Sequence, residues 1–384
     1  MLRLRIPLPR LIGPGEVIAG EGALATLQSL PATRVALVAS ARAGDDAVLM
    51  RWLELPRTFE LRQFRPSWID EPDLSALRGT LAEIVHFRPD WIVAVGGGST
   101  IDGARLCWAL YEHPHFALER LRRPFSLPPL RALARFVAVP TTSGTGAECS
   151  SASVLSDRET GRKIPVVTHD FLPDVVILEP RLTLGLPSNL TVLTALDALA
   201  HALEGRVSTL ANPLVDELAE NSAASILKAL LERELSGDSL LLRSKLQVAA
   251  YYAGQVQNLR LVGLAHAVAH QLGHWNIPHS AAVGALLQLS IKRASRLAPV
   301  QVIYDKIARR SGLRDTGEMI NAIGRLQRNV GVSGRLGEMT KIPASLPTAD
   351  AVRIADDALA DPIARFLPYK MERDELARTI QEAW

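Results

Sequence analysis

An Asp and a His stand four residues apart at Asp197 and His201, and two further His stand four apart at His266 and His270, with His279 following an Ile-Pro pair. Residues at i and i+4 of a helix lie one turn apart on the same face, so each pair can aim two groups at one point. The stretch around Asp197 is otherwise Ala and Leu. An unpaired carboxylate there costs several kcal/mol of desolvation unless a cation or a donor compensates it. Four of the nine His fall between 266 and 279. Taken singly, each of these side chains reads as a satisfied core residue; their recurrence together reads as a divalent metal site.

A second kind of chemistry is encoded upstream. The apolar run Trp91 to Val95 leads directly into Gly96-Gly97-Gly98-Ser99-Thr100-Ile101-Asp102 and then into a helical pattern. A strand, a glycine turn and a helix N-terminus present unpaired N–H groups and the positive end of the helix dipole to one spot, which favours a pyrophosphate. A tri-glycine turn alone is a weak signal. A second strand end, however, releases Pro140-Thr141-Thr142-Ser143-Gly144-Thr145-Gly146-Ala147-Glu148. Loops at the carboxyl ends of neighbouring parallel strands line one crevice, and two such loops suggest a dinucleotide.

The elements that must position these groups divide into two textures. From about Arg34 to Pro180, β-branched runs alternate with helical patterns, with strands expected at Val35 to Ala39, Phe59 to Phe64, Trp91 to Val95, Phe136 to Val139 and Val175 to Leu178. Helices are expected at Pro72 to Phe87 and Ile101 to Tyr111, and a hairpin over Val154 to Val167 with Gly161 at its turn. This is an α/β arrangement with a mostly parallel sheet. After Leu186-Pro187 the chain becomes Ala/Leu-rich with apolar residues at three and four spacing, which predicts an all-α half with helices at Leu190 to Val207, Leu214 to Leu235, Leu240 to Gln257, Gly263 to Trp275 and Ala281 to Leu297. The expected units are 1–183, an α/β domain with the dinucleotide loops, and 184–384, a helical metal-binding domain.

The 384 residues are 48% hydrophobic and 22% charged, enough for two full cores. The formal charge is only +3. The local run Arg120, Arg122, Arg123, Arg131, Arg135 lacks interleaved aromatics and reads as a solvated loop, so no nucleic-acid partner is expected. No apolar stretch reaches membrane-spanning length. Cys107 and Cys149 are too few for a disulfide framework, which points to a reducing cytoplasm.

Together, Gly-Gly-Gly-Ser-x-x-Asp at 96 to 102, Pro-Thr-Thr-x-Gly-Thr-Gly-x-Glu at 140 to 148, Asp-Ala-x-x-His-Ala-x-Glu at 197 to 204 and His-x-x-x-His-x-Leu-Gly with Ile-Pro-His at 266 to 279 resemble the iron-containing, or group III, alcohol dehydrogenase family. The resemblance implies an NAD(P)-binding α/β domain over 1–183 and a helical metal-binding domain over 184–384 with a cleft between them, a hydride transfer between NAD(P)(H) and an alcohol or aldehyde, Fe²⁺ or Zn²⁺ as the metal and a homodimer as the assembly. Its metal ligands would be Asp197, His201, His266 and His279, with His270 beside the reacting group as the candidate proton relay. Gly97, Gly98, Ser99, Asp102, Thr141, Thr142, Thr145 and Lys163 would meet the cofactor.

Three positions depart from the family pattern. Eight residues separate His270 from His279 where members commonly have nine, and one of them is His274, an alternative fourth ligand. Ser40, followed by Arg42, ends the first strand where NAD-preferring relatives carry Asp, so NADP(H) is expected to be accepted. Arg260 replaces a small residue; it is expected to reach water along its stem rather than bind an acidic substrate. Related enzymes supply alternative functions, a metal-free maleylacetate reductase-like reductase and a dehydroquinate synthase-like lyase. The four motifs fit the dehydrogenase branch better.

Overall fold

The computed structural model describes residues 11–66, 68, 71–157, 162–275, 277–331, 336–339 and 345–384. Its strands are β1 (Glu16–Ala19), β2 (Arg34–Ala39), β3 (Glu60–Phe64), β4 (Trp91–Gly96), β5 (Arg135–Pro140), β6 (Ala152–Asp157), β7 (Arg162–Val167) and β8 (Val175–Leu178). Six of them form one sheet in the order β1-β8-β5-β4-β2-β3, and every pairing in it is parallel. β6 and β7 stand apart as an antiparallel hairpin; Gly161, expected at its turn, lies outside the described residues.

Helices α1 (Ala41–Gly44), α2 (Ala47–Leu53), α3 (Leu74–Phe87) and α4 (Gly98–Glu112) belong to the sheet half. After the short α5 (Arg181–Leu184) the chain is helical: α6 (Ser188–Val207), α7 (Asp216–Ser236), α8 (Leu240–Arg260), α9 (Leu264–Ala269), α10 (His279–Ala294), α11 (Ala298–Arg310), α12 (Thr316–Asn329), α13 (Thr348–Ala360) and α14 (Arg373–Glu382).

Alternation along the strands builds two cores, one on each face of the sheet. Val35, Leu37, Val93, Val95, Val137 and Val139 face Leu24, Leu49 and Trp52, while Ala36, Val38, Ile92, Ala94, Phe136 and Ala138 face Leu77, Ile84 and Trp108. Both faces are covered, which is why the central strands read as nearly continuous apolar runs. A third core fills the helical half around α6, whose residues from Thr191 to Gly205 are all buried. A helix apolar all round belongs in the middle of a bundle. α6 accordingly packs against α7, α8 and α10.

The expected helix Gly263 to Trp275 divides at His270, where the α-helix gives way to a 3-10 turn over His270–Trp275. The β1 strand had no counterpart among the expected elements; its four residues are too short a run to carry a periodic signal. In the Arg run, Arg131 is not solvated as expected. It is part-buried and ties its loop down through Asp174 at 3.0 Å and the Leu172 carbonyl at 2.5 Å.

Candidate functional site

Helix α6 delivers Asp197 and His201 one turn apart, and α9 and α10 bring His266 and His279 to the same point. The Nε2 atoms of His201, His266 and His279 lie 3.8, 3.3 and 3.8 Å from one atom, Asp197 Oδ1. Asp197, His201 and His266 are each only 1% exposed. No hydrogen bond satisfies either Asp197 oxygen or His266 Nε2. A buried carboxylate with both oxygens unpaired, faced by three imidazole nitrogens, is the arrangement a tetrahedral cation with ligand bonds of about 2.0–2.2 Å would complete.

Burial opposes ionisation of the Asp197 carboxyl, but the neighbouring imidazoles of His201, His266 and His279 outweigh it and hold the group well below the usual carboxylate range. Burial pushes His201 down to about 4 despite Asp197 beside it. His266 moves the other way: burial lowers it, yet the carboxylates of Asp197 and Glu204 on its two nitrogens raise it to about 9. The Glu204 contact was not anticipated from the sequence. Glu204 Oε2 lies 2.8 Å from His266 Nδ1, and the same carboxylate accepts the N–H groups of Gly263 and Ala265 and the Ser290 hydroxyl. Its spacing, three residues after His201, was a legible sign that it shares that face of the helix.

His270 stands beside this cluster rather than within it. Its ring stacks on that of His279, with centroids 5.6 Å apart and planes 18° from parallel, and its Nδ1 lies 2.9 Å from Asp361 Oδ2. The His274 side chain, the alternative ligand, lies outside the described part of the structure.

The two glycine-bearing loops face each other at the ends of adjacent strands β4 and β5. Thr141 donates its N–H to the Gly96 carbonyl at 3.0 Å. A Cβ on Gly98 would come within 2.9 Å of Thr145 Oγ1, and the N-terminus of α4 has Gly97 at its cap with no side chain closing it. Gly97, Gly98, Ser99, Thr141, Thr142 and Thr145 are all partly exposed here, and Trp68 braces the loop by donating to the Ser99 carbonyl at 3.0 Å. The threonine loop also touches the helical half: a Cβ on Gly144 would fall 2.6 Å from Thr194 Cβ, one turn before Asp197.

Asp102 turns inward. Its Oδ2 accepts the Val154 N–H at 3.0 Å, Arg105 lies 3.9 Å away, and burial raises its carboxyl to about 6. Lys163, on β7, forms an ion pair with Glu71, and its Cε is 3.5 Å from where a Cβ of Gly273 would sit. Ser40 caps α1 by accepting the Ala43 N–H at 3.2 Å, and Asp45, at the other end of that short helix, pairs with Arg65. Arg260 does not reach water. It is 4% exposed, pairs with Asp216 and donates to the Ser208 carbonyl at 2.9 Å, because the end of α8 is enclosed by the segment leading into α7.

Comparison with known proteins covers nearly the whole chain. Residues 14–180 match the model for "Iron-containing alcohol dehydrogenase", and residues 191–384 match that for "Fe-containing alcohol dehydrogenase family, C-terminal". The chain is 30% identical to an NADPH-dependent butanol dehydrogenase of Clostridium saccharobutylicum across 98% of its own length and 97% of the relative's. It is 33% identical to a 1-propanol dehydrogenase of Citrobacter freundii over 74% of this chain and 71% of that protein. Among solved structures, a 1,3-propanediol oxidoreductase superposes with a TM-score of 0.88 at 28% identity, covering 98% of this chain and 100% of the other. An iron-containing alcohol dehydrogenase of Thermococcus thioreducens superposes with a TM-score of 0.87 at 26% identity, over 97% and 99%.

Proposed function

This chain belongs to the iron-containing alcohol dehydrogenase family, and on that premise we propose that Asp197, His201, His266 and His279 hold its divalent cation while the loops at 96–99 and 141–145 hold its dinucleotide. The protein is a metal-dependent oxidoreductase that moves a hydride between NAD(P)(H) and an alcohol or aldehyde. The observation that carries the site assignment is the approach of three imidazole nitrogens to one unpaired oxygen of Asp197.

A bound Fe²⁺ or Zn²⁺ supplies Lewis-acid polarisation of a substrate oxygen. The chain's own groups do the rest. Glu204 accepts from His266 Nδ1, which leaves Nε2, the nitrogen facing Asp197, as the one that would ligate the cation. The N-terminus of α4 offers unpaired N–H groups to the pyrophosphate. Gly144 seated on Thr194 joins the dinucleotide loop to the helix that carries Asp197. His270, stacked on His279, takes up the alcohol proton in oxidation and returns it in reduction.

No helix among the described residues is long and apolar enough to cross a membrane. Both cysteines are buried as free thiols, which supports a reducing, cytoplasmic setting.

The test is an aldehyde panel with NADPH and added Fe²⁺ or Zn²⁺, run beside elemental analysis of the wild type and Asp197→Ala. The expected result is stoichiometric metal and turnover in the wild type, with both lost in the variant. Full activity in metal-free Asp197→Ala would sink the site assignment and favour the metal-free reductase chemistry.

A further inference from the structure

Asp361 lies 91 residues from His270 in the chain, yet their side chains meet at 2.9 Å. It ends α13 and opens a 3-10 turn over Pro362–Phe366, where its Oδ1 accepts the Ile363 N–H at 3.0 Å. Its Oδ2 is the atom turned to His270 Nδ1, and the Asp361 side chain is 13% exposed against 34% for His270. The imidazole is thereby fixed in two ways. The face of the ring rests on His279, and Nδ1 is engaged by a carboxylate that is itself anchored to the backbone.

A carboxylate oxygen accepts and does not donate, so the nitrogen facing it carries the hydrogen. Nδ1 of neutral His270 is then the N–H, and Nε2 keeps the lone pair. Only that tautomer leaves a basic nitrogen free to accept a proton from an alcohol. We propose that Asp361 is a positioning residue for the reaction: it selects the His270 tautomer and holds the ring over His279, which makes the segment after α13 part of the active centre. The inference rests on the reading of His270 as the proton relay.

Asp361→Asn tests it without removing the local fold, because the amide oxygen can still accept from Ile363. The amide NH₂ would replace Oδ2 and donate to Nδ1, moving the hydrogen to Nε2. In the zinc-loaded enzyme, ¹⁵N NMR of the imidazoles is expected to report the Nδ1–H tautomer of His270 in the wild type and the Nε2–H tautomer in the variant. The kcat of the variant should fall about 10- to 100-fold, the range for losing a carboxylate that orients a site histidine, with zinc content and the KM for NADPH unchanged. Asp361→Glu should recover part of that loss. The double variant His270→Ala/Asp361→Asn should be no slower than His270→Ala alone, since a residue that acts through another adds nothing once the other is gone. A wild-type tautomer in Asp361→Asn, or losses that multiply in the double variant, would overturn the positioning role. Full activity in His270→Ala would instead overturn the relay reading beneath it.

Discussion

Glu204 and His266 meet through Oε2 and Nδ1 at 2.8 Å, both side chains buried, and that carboxylate also collects two backbone N–H groups and a hydroxyl. The pairing fixes which His266 nitrogen can face Asp197. Glu204→Gln replaces one acceptor oxygen with a donor and removes the charge. Metal affinity, measured by competition with a chelator, should fall about 10- to 100-fold, with the fold retained.

Gly144 is one of the points where the two halves touch closely. A Cβ there would lie 2.6 Å from Thr194 Cβ and 2.7 Å from the Thr194 carbonyl oxygen, so Gly144→Ala must push the threonine loop off α6. Overpacking of this kind costs about 1–3 kcal/mol. The expected outcome is a lower Tm and a raised KM for NADPH, read from thermal unfolding and steady-state kinetics.

Glu148 is 4% exposed in the turn after the threonine loop, and burial raises its carboxyl from 4.5 to about 7 against the weaker pull of Arg105. A folded-state value above the unfolded one means that the fold opposes ionisation. The penalty is absent below 4.5, grows as pH rises toward 7, and is constant above that. Glu148→Gln removes it, so the stability of the variant relative to the wild type should increase across that window, by on the order of 3 kcal/mol. Chemical denaturation at the two ends of the window measures the difference; a gap that narrows with rising pH would show the sign to be wrong.

Ser40 and Arg42 follow the strand end where an acidic residue would accept hydrogen bonds from the adenine ribose and repel a 2′-phosphate. The wild type should use NADPH at least as well as NADH. Ser40→Asp places a carboxylate there and should shift the ratio of kcat/KM values toward NADH by about tenfold or more. An unchanged ratio would place cofactor choice elsewhere.

Much of this molecule was legible before its fold was seen, for identifiable reasons. The strands β2, β4, β5 and β8 fall within a residue of their expected ends, because a sheet covered on both faces demands uninterrupted apolar runs. The pairing of Asp197 with His201 followed from four-residue spacing on one helix, whereas His266 joins them without His270, its partner by the same spacing. What escaped was non-local. Nothing near Asp361 in sequence announces His270, and the Glu71 partner of Lys163 is 92 residues distant. Arg260 was misjudged because snorkelling presumes nearby solvent, whereas Asp216 supplies a counter-charge at an enclosed helix end. The break at His270 also lay beyond periodicity, since 3-10 and α turns share nearly the same apolar spacing over so few residues.

Helix α6 carries Asp197, His201 and Glu204 on a rod enclosed by neighbours along most of its length. Such a mount has little freedom to swell or shrink around ions of different radius, and imidazole with a single carboxylate suits several first-row metals alike. Choice among them then passes from the protein to its surroundings. Preparations from media of different trace-element content should differ in turnover while sharing one sequence and one fold, and rate comparisons across laboratories carry meaning only when the occupant has been assayed.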